Sequence, residues 1–199
     1  MQKIKKDFTL MAILLIPIAV AINVVCGEIV TLLKLPLFLN SIGTLIVAMI
    51  AGPWVGLLTG GLTNVIQGMF NPTSFPFAIV NMAIGFTAGY LSQKGMMNKI
   101  WKVIISGVII AMITIITAAP IVVLMFGGAS GTGSDTFTAV LLASGQEIWT
   151  AVFTQKIFVE SFDKILSVVI AFWIVKRMSA RYLSKQKHGS LYIDKNEAV

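Results

Sequence analysis

The chain has 199 residues, of which 57% are hydrophobic and only 12% are charged, and its formal net charge is +7. A soluble domain would carry about 25% charged residues, so this composition excludes an ordinary soluble globular domain and indicates a membrane protein. The length allows one membrane domain and leaves no room for a separate globular domain. We therefore predict a single domain over residues 1–187 and a polar, disordered cytoplasmic tail over residues 188–199.

Six apolar segments follow one another along the chain. Their hydrophobic runs are continuous rather than alternating, which is typical of helices and not of strands. Because a helix needs about 20 residues to cross a bilayer, the short second and third segments must be little tilted, partly re-entrant or extended by neighbouring residues. We predict an all-α integral membrane protein with six transmembrane helices in one bundle. The predicted spans are 8–30, 38–52, 54–69, 76–92, 102–126 and 147–176.

Basic residues gather at alternate ends of these segments, whereas the opposite loops carry only Lys34. The positive-inside rule places such groups in the cytoplasm, so both termini are predicted to be cytoplasmic. Because the basic residues adjoin membrane spans and lack interleaved aromatic residues, no nucleic-acid partner is predicted. The three groups are Lys3, Lys5 and Lys6; Lys94, Lys99 and Lys102; and Lys176, Arg177, Arg181, Lys185 and Lys187.

Small residues recur at four-residue spacing in the third and fourth segments. This spacing places them on one helix face, where small side chains let another helix approach closely. We predict tight packing toward the cytoplasmic side and, around an asparagine in each segment, a polar cavity toward the external side. Alternatively, the two asparagines only hydrogen-bond to neighbouring helices. The positions are Gly52, Gly56, Gly60, Asn64 and Gly68, and then Phe77, Asn81, Gly85 and Gly89.

Glycine and small polar residues fill residues 127–135, at the start of the longest external loop, which runs to about residue 146. This flexible segment is either a linker or a lid over an external site.

Four charged residues lie inside the last segment, at offsets of four, seven and eight that share one helix face. Each would cost about 2.5–3.5 kcal/mol at the bilayer centre, so they are expected to face the bundle interior or water. Two interpretations remain open. The charges form a structural ion-pair cluster, or they line a polar ligand pocket whose aromatic wall includes Trp149 and Phe153. The charged residues are Lys156, Glu160, Asp163 and Lys164.

Enzyme chemistry has little support. The only histidine is His188, the only cysteine is Cys26, and the chain lacks a Ser–His pair, a metal-binding His/Glu set and a Gly-Lys phosphate loop. We therefore predict no catalytic residues, no metal site and no cofactor.

Four short runs, LPLFLNSIGT (35–44), AGPWVGLLTG (51–60), NPT (71–73) and ESFDK (160–164), occur in this order within the six predicted spans. Together with the predicted topology, they resemble the substrate-specific component, or S component, of energy-coupling factor (ECF) transporters over about residues 8–180. The resemblance implies a multi-pass protein of a prokaryotic plasma membrane. It would bind a vitamin near the external surface, dock onto a transmembrane coupling protein (the T component) served by two cytoplasmic ATPases, and topple to carry its ligand inward.

The resemblance also implies where the functional residues lie. The external loops and the external halves of the later helices would build the pocket, and the first helix would meet the coupling protein. Many S components carry an Ala-x-x-x-Ala motif on that helix, whereas here Ala12 is followed by Ile16. The docking residues predicted here are Ala12 and Ala19. The predicted ligand-binding residues are Asn40, Asn81, Trp149, Lys156 and Glu160, supported by Asn64, Gln67, Phe75, Phe77 and Asp163.

Aromatic residues combined with both signs of charge suit a small heterocycle. A pyridine or pyrimidine such as pyridoxine or hydroxymethylpyrimidine is favoured, and pantothenate, with its carboxylate at Lys156, comes next. Two other functions stay open: a self-sufficient secondary transporter coupled to protons through Glu160 or Asp163, and a sensory membrane domain.

Overall fold

The computed structural model describes residues 7–193, and all regular secondary structure in that range is helical. Each of the six predicted apolar segments contains a helix. The predicted basic residues Lys3, Lys5 and Lys6, and residues 194–199 of the predicted tail, lie outside the described range. The α-helices are α1 (Leu10–Leu32), α2 (Ile42–Ala51), α3 (Pro53–Phe70), α4 (Ala78–Gln93), α5 (Ile100–Phe126), α6 (Asp135–Ala143), α7 (Ile148–Lys176) and α8 (Ala180–Leu183). Two 3₁₀ helices cover Pro72–Phe77 and Gly189–Tyr192.

The main helices run alternately up and down a single bundle. We call the end where α1, α3 and α5 begin the base, and the end where α2, α4 and α7 begin the upper end. Within the described residues, three helical stretches are long and apolar enough to span a membrane: Leu10–Leu32, Pro72–Gln93 and Ile100–Phe126. Helix α7 has 29 residues, but charged side chains interrupt its apolar sequence.

Helix α2 lies at the centre of the bundle, and all ten of its residues are buried. It packs against α1, α3, α4 and α7. At 1.5 Å per residue it is about 15 Å long, which is half the hydrocarbon thickness of a typical bilayer. The predicted second span was therefore too long at its start. Phe38 and Leu39 donate their backbone N–H groups to Asp163 instead of entering the helix.

Helices α3 and α4 pack along the predicted glycine faces, which confirms the close approach. A Cβ atom on Gly60 would meet the backbone carbonyl of Asn81, and one on Gly85 would meet that of Gly56. Backbones this close leave no room for a side chain between the helices. Side-chain hydrogen bonds also join α1 to α2 and α3. Asn23 donates to Thr44 Oγ1 at 2.8 Å and to Thr63 Oγ1 at 2.9 Å.

The segment predicted as a long loop after α5 contains an additional helix, α6. Its first residue, Asp135, accepts hydrogen bonds from the backbone N–H groups of Gly131 at 2.6 Å and Thr132 at 2.9 Å. These bonds fix the loop that leads into α6, and they hold the carboxylate in the first turn of the helix, where a negative charge is favourable. The sequence prediction missed α6 because the helix has only nine residues and follows a glycine-rich run.

The described part of the predicted tail, residues 188–193, packs against the base of the bundle. The backbone N–H of His188 donates to Ile50 O at 2.9 Å, at the end of α2. Tyr192 is buried, and its hydroxyl lies 2.6 Å from Ser92 Oγ. Burial raises the pKa of the Tyr192 phenol, which keeps it protonated. At the base, an ion pair between Lys187 and Asp7 joins the C-terminal segment to the residues before α1.

Candidate functional site

A cavity of about 250 Å³ lies at the upper end of the bundle. Its walls come from α1, α3, α4, α5 and α7, and its roof comes from two loops, residues 33–41 and residues 127–134. The short α2 stops below it, so the loop before α2 can fold inward over the space that a full-length helix would fill. The loop–α2 arrangement therefore creates the cavity.

One wall is rich in carboxamide side chains: Asn40, Asn64, Gln67 and Asn81. Asn81 donates to Asn64 Oδ1, and Asn64 donates to Ser74 O at 3.0 Å. These bonds join α3, α4 and the turn between them. Asn64 and Asn81 therefore hydrogen-bond to each other between neighbouring helices, and they also line the cavity. Carboxamides offer donors and acceptors without carrying charge.

A second part of the lining, which we call the charged wall, carries charged side chains from α7. Lys156 Nζ lies 3.2 Å from Glu160 Oε1, and Lys164 Nζ lies 3.4 Å from Glu160 Oε2. Lys164 Nζ also lies 2.5 Å from Asp163 Oδ2. All four side chains are buried. Two positive and two negative charges therefore form a connected cluster, which offsets much of the cost of burying each charge.

Asp163 does not line the cavity but holds its roof. Its Oδ1 accepts hydrogen bonds from the backbone N–H groups of Phe38 and Leu39, both at 2.9 Å, while its Oδ2 faces Lys164. Leu39 has a φ of +46°, a left-handed conformation uncommon for a branched residue. The carboxylate therefore fixes a strained turn across a sequence separation of 124–125 residues.

The aromatic part of the cavity begins at Phe38. Lys156 Nζ lies 5.1 Å from the centre of the Phe38 ring and Lys164 Nζ lies 5.7 Å from it, within the range of cation–π attraction. Phe77 also lines the cavity and stacks on Phe126 with ring centres 5.8 Å apart. Phe70 lines it near the end of α3. The cavity thus combines carboxamides, ring faces and paired charges.

The two roof loops touch each other. A Cβ atom on Gly133 would lie 2.8 Å from Leu35 O and 3.2 Å from Lys34 O, so only glycine fits this approach without a shift. Residues 130–133 line the cavity. Of the two interpretations of the glycine-rich segment, this placement favours a lid rather than a linker.

The structure brings together most of the predicted ligand-binding residues, but not all of them. Seven line the cavity: Asn40, Asn64, Gln67, Phe77, Asn81, Lys156 and Glu160. Trp149 does not: it is 41% exposed and stacks on Phe153, which also lies outside the cavity. Phe75 is 46% exposed and packs over Gly68. Neither Trp149 nor Phe75 belongs to the lining of the cavity.

The predicted docking residues Ala12 and Ala19 are buried inside the bundle. Both belong to an apolar cluster between α1, α2 and α3, and Ala19 packs directly against Gly43. The face of α1 that carries them is the one that packs on the bundle in this structure.

Sequence reasoning missed several lining residues, among them Glu28, Thr31 and Thr114. Glu28 carried a usable signal, since an acidic residue near the end of an apolar segment is uncommon and often functional. Thr31 and Thr114 carried none, because a threonine in a membrane helix often bonds its own backbone. Here Thr114 Oγ1 donates to Ile110 O at 2.8 Å, and Thr31 Oγ1 donates to Gly27 O at 2.9 Å.

Comparison with known proteins identifies a family for most of the chain. A family model described as "ECF transporter, substrate-specific component" matches residues 9–175. No curated protein and no solved structure matches.

Proposed function

The chain belongs to the family of ECF transporter substrate-specific components, and we propose that it is the substrate-binding subunit of an ECF-type ABC importer for a small water-soluble vitamin or vitamin precursor. Members of this family are substrate-binding transport subunits and not catalysts. The single observation that carries the proposal is the cavity at the upper end, where carboxamides, ring faces and buried charges converge in a membrane protein. Convergent polar groups in an otherwise apolar pocket are typical of a ligand site.

We propose that the upper end faces the outside of a prokaryotic cell and the base faces the cytoplasm, with six helices spanning the plasma membrane and both termini inside. The charge distribution supports this orientation, because basic residues adjoining the helix ends cluster at the base. At the upper end, Lys34 is the only lysine or arginine outside the buried cluster among the described residues. Those at the base are Lys94, Lys99, Lys102, Lys176, Arg177, Arg181, Lys185 and Lys187.

A pyridine or pyrimidine such as pyridoxine or hydroxymethylpyrimidine is the ligand that we favour, and pantothenate is the second candidate. A volume of about 250 Å³ suits a single small ring better than a large ligand. In this proposal Asn40, Gln67 and Asn81 hydrogen-bond the ring substituents, and Phe77 contacts the ring face. Lys156 and Glu160 orient the ligand, while Asp163 acts as a positioning residue through the roof loop. Trp149 and Phe75 have no part in this binding mode.

We propose that a transmembrane T component docks onto α1 and that two cytoplasmic ATPases drive the transport cycle. Because Ala12 and Ala19 are buried, the docking contact is assigned instead to the exposed apolar face of α1. That face carries Leu10, Ile13, Leu14 and Ile18 near the base, all of them exposed. Such a continuous apolar face suits either lipid or another membrane helix, and therefore allows exchange between the two.

Reconstitution tests this function against the proton-coupled alternative, which the buried Glu160 and Asp163 motivate. We expect proteoliposomes holding the chain alone to bind radiolabelled pyridoxine or hydroxymethylpyrimidine without accumulating it. Adding the T component, both ATPases and ATP should give uptake. The control replaces ATP with ADP. Accumulation by the chain alone under a pH gradient would contradict the proposal and favour a secondary transporter, whereas absence of uptake by the full complex would leave a sensory role.

A further inference from the structure

The charges on the cavity wall are paired with one another, while Glu160 Oε2 accepts no hydrogen bond from the described residues and can accept one from an N–H or O–H group of a ligand. Lys156 is paired with Glu160, and Lys164 is paired with both Glu160 and Asp163. The remaining oxygen of Asp163 is occupied by two backbone N–H groups of the roof loop. The four formal charges sum to zero, and every one of them has an internal partner of opposite sign.

We infer that the ligand is a planar nitrogen heterocycle with no net charge, and that the cavity discriminates against carboxylates such as pantothenate. The inference rests on the proposed function and narrows it, because pantothenate was its second candidate. The burial of the cluster and the pairing of its charges are the physical basis of this discrimination.

An anionic group gains little at this wall. A carboxylate placed beside Lys156 would also lie close to Glu160, whose Oε1 is 3.2 Å from the Lys156 ammonium. The repulsion therefore offsets much of the attraction. Both side chains are about 4% exposed, so water does not screen the repulsion. The incoming carboxylate would also lose its own hydration, and that loss is large when no unpaired charge compensates it.

A cationic group also gains little at this wall, because any position beside Glu160 lies close to a positively charged lysine. Glu160 is the buried anionic group among the lining residues, and two lysines lie 3.2 Å and 3.4 Å from its carboxylate oxygens. Glu28 also lines the cavity, but it is exposed, and water screens an exposed charge effectively. Glu28 therefore adds little preference for a cation bound in the buried part.

The uncharged wall offers matched recognition instead. Asn40, Gln67 and Asn81 present amide donors and carbonyl acceptors to one side of the cavity. Carboxamides recognise the edge of a nitrogen heterocycle through paired donor and acceptor contacts, as they do with adenine in nucleic acids. Phe38 and Phe77 supply ring surfaces beside these groups. A flat, uncharged ring with amino, hydroxyl or ring-nitrogen groups satisfies the cavity without adding an ion.

Matched pairs of compounds test the inference by calorimetric titration of the purified protein at pH 7. The pairs are pyridoxine and 4-pyridoxate, hydroxymethylpyrimidine and its 5-carboxylate, nicotinamide and nicotinate, and panthenol and pantothenate. We expect the tightest binder to be an uncharged nitrogen heterocycle and its carboxylate partner to bind at least tenfold more weakly. Panthenol as the tightest binder would overturn the inference. A carboxylate that binds within tenfold of its partner, or more tightly, would overturn the inference and leave the proposed function standing. Binding by no member of any pair would contradict the proposed function itself, and the inference with it.

A charge change within the cluster sharpens this test. Glu160→Gln leaves the cluster with one excess positive charge, so the affinity ratio should shift at least tenfold toward the carboxylate, and Lys156→Gln should shift it the other way. The matched control is Glu147→Gln, which changes the net charge equally at an exposed residue outside the cavity. Equal ratios in the wild type, Glu160→Gln and the control would overturn the inference. The wild-type pairs decide the question even if a cluster variant fails to fold.

Discussion

Replacing Asp163 with asparagine is expected to lower the free energy of unfolding by about 3 kcal/mol or more, because it removes one partner of a buried ion pair. The side chain is fully buried and lies 2.5 Å from Lys164 Nζ. After the change, Lys164 keeps only Glu160, at 3.4 Å, and the cluster carries one excess positive charge. For a chain of this length the melting temperature should fall by about 6–12 °C.

The same substitution should weaken ligand binding. Asparagine retains an oxygen for Phe38 N–H and Leu39 N–H, but a neutral acceptor makes weaker hydrogen bonds than a carboxylate. The roof loop is then held less firmly over the cavity. Thermal unfolding in detergent measures the stability, and titration calorimetry measures the affinity.

Two further variants show whether charge pairing is the cause. Asp163→Asn combined with Lys164→Met restores neutrality, and we expect it to recover more than half of the lost melting temperature. Glu147→Gln removes an exposed carboxylate at the start of α7 and should leave the free energy of unfolding unchanged within about 0.5 kcal/mol. An Asp163→Asn protein that melts like the wild type would show that the cluster does not depend on this pair.

The second large effect is expected at Gly60. A leucine there should destabilise the protein by about 3 kcal/mol or more, at the upper end of the range for overpacking. The reason is that a Cβ atom at this position meets the backbone carbonyl of Asn81, which cannot move aside as a side chain can. Helices α3 and α4 must separate, and Asn81 then loses its bond to Asn64. Ligand affinity should therefore fall together with stability.

Gly61 offers a matched control on the same helix. A Cβ atom at Gly61 lies 3.0 Å from Met82 Cγ and 3.3 Å from Met82 Sδ, and the methionine side chain is flexible enough to yield. We therefore expect Gly61→Leu to lower the melting temperature far less than Gly60→Leu. Thermal unfolding of both variants checks this. Equal effects at the two positions would contradict the close approach of the α3 and α4 backbones at Gly60.

The sequence carried enough information to predict the helices and part of the site. Continuous apolar runs predicted where helices form, and four-residue glycine spacing predicted which faces of α3 and α4 meet. The offsets from Lys156 to Lys164 predicted a buried charged face, because buried charges must pair. These signals are local, since each depends only on residues within a few turns of one helix.

The features that escaped prediction depend on contacts between distant parts of the chain. Asp163 was predicted as a supporting ligand-binding residue, and its bonds to the turn at Phe38 and Leu39, more than 120 residues earlier, could not be read from the sequence. Ala12 was predicted as a docking residue, and its burial depends on the rotation of α1 about its axis, which the sequence does not specify. Burial of Tyr192 against Ser92 likewise could not be inferred from a polar C-terminal sequence. No local pattern encodes these pairings.

The central claim is that a small vitamin-like molecule binds in the cavity at the upper end. Calorimetric titration of the wild type and of Ala118→Phe, each with a panel of water-soluble vitamins, tests it most directly. Ala118 lines the cavity, so phenylalanine at this position occupies the ligand space. Calorimetry is preferred to tryptophan fluorescence because Trp149 lies outside the cavity. We expect one compound to bind the wild type at one site per chain and a folded Ala118→Phe to bind at least 100-fold more weakly. Unchanged affinity in folded Ala118→Phe would place the ligand elsewhere and contradict the assignment of the cavity.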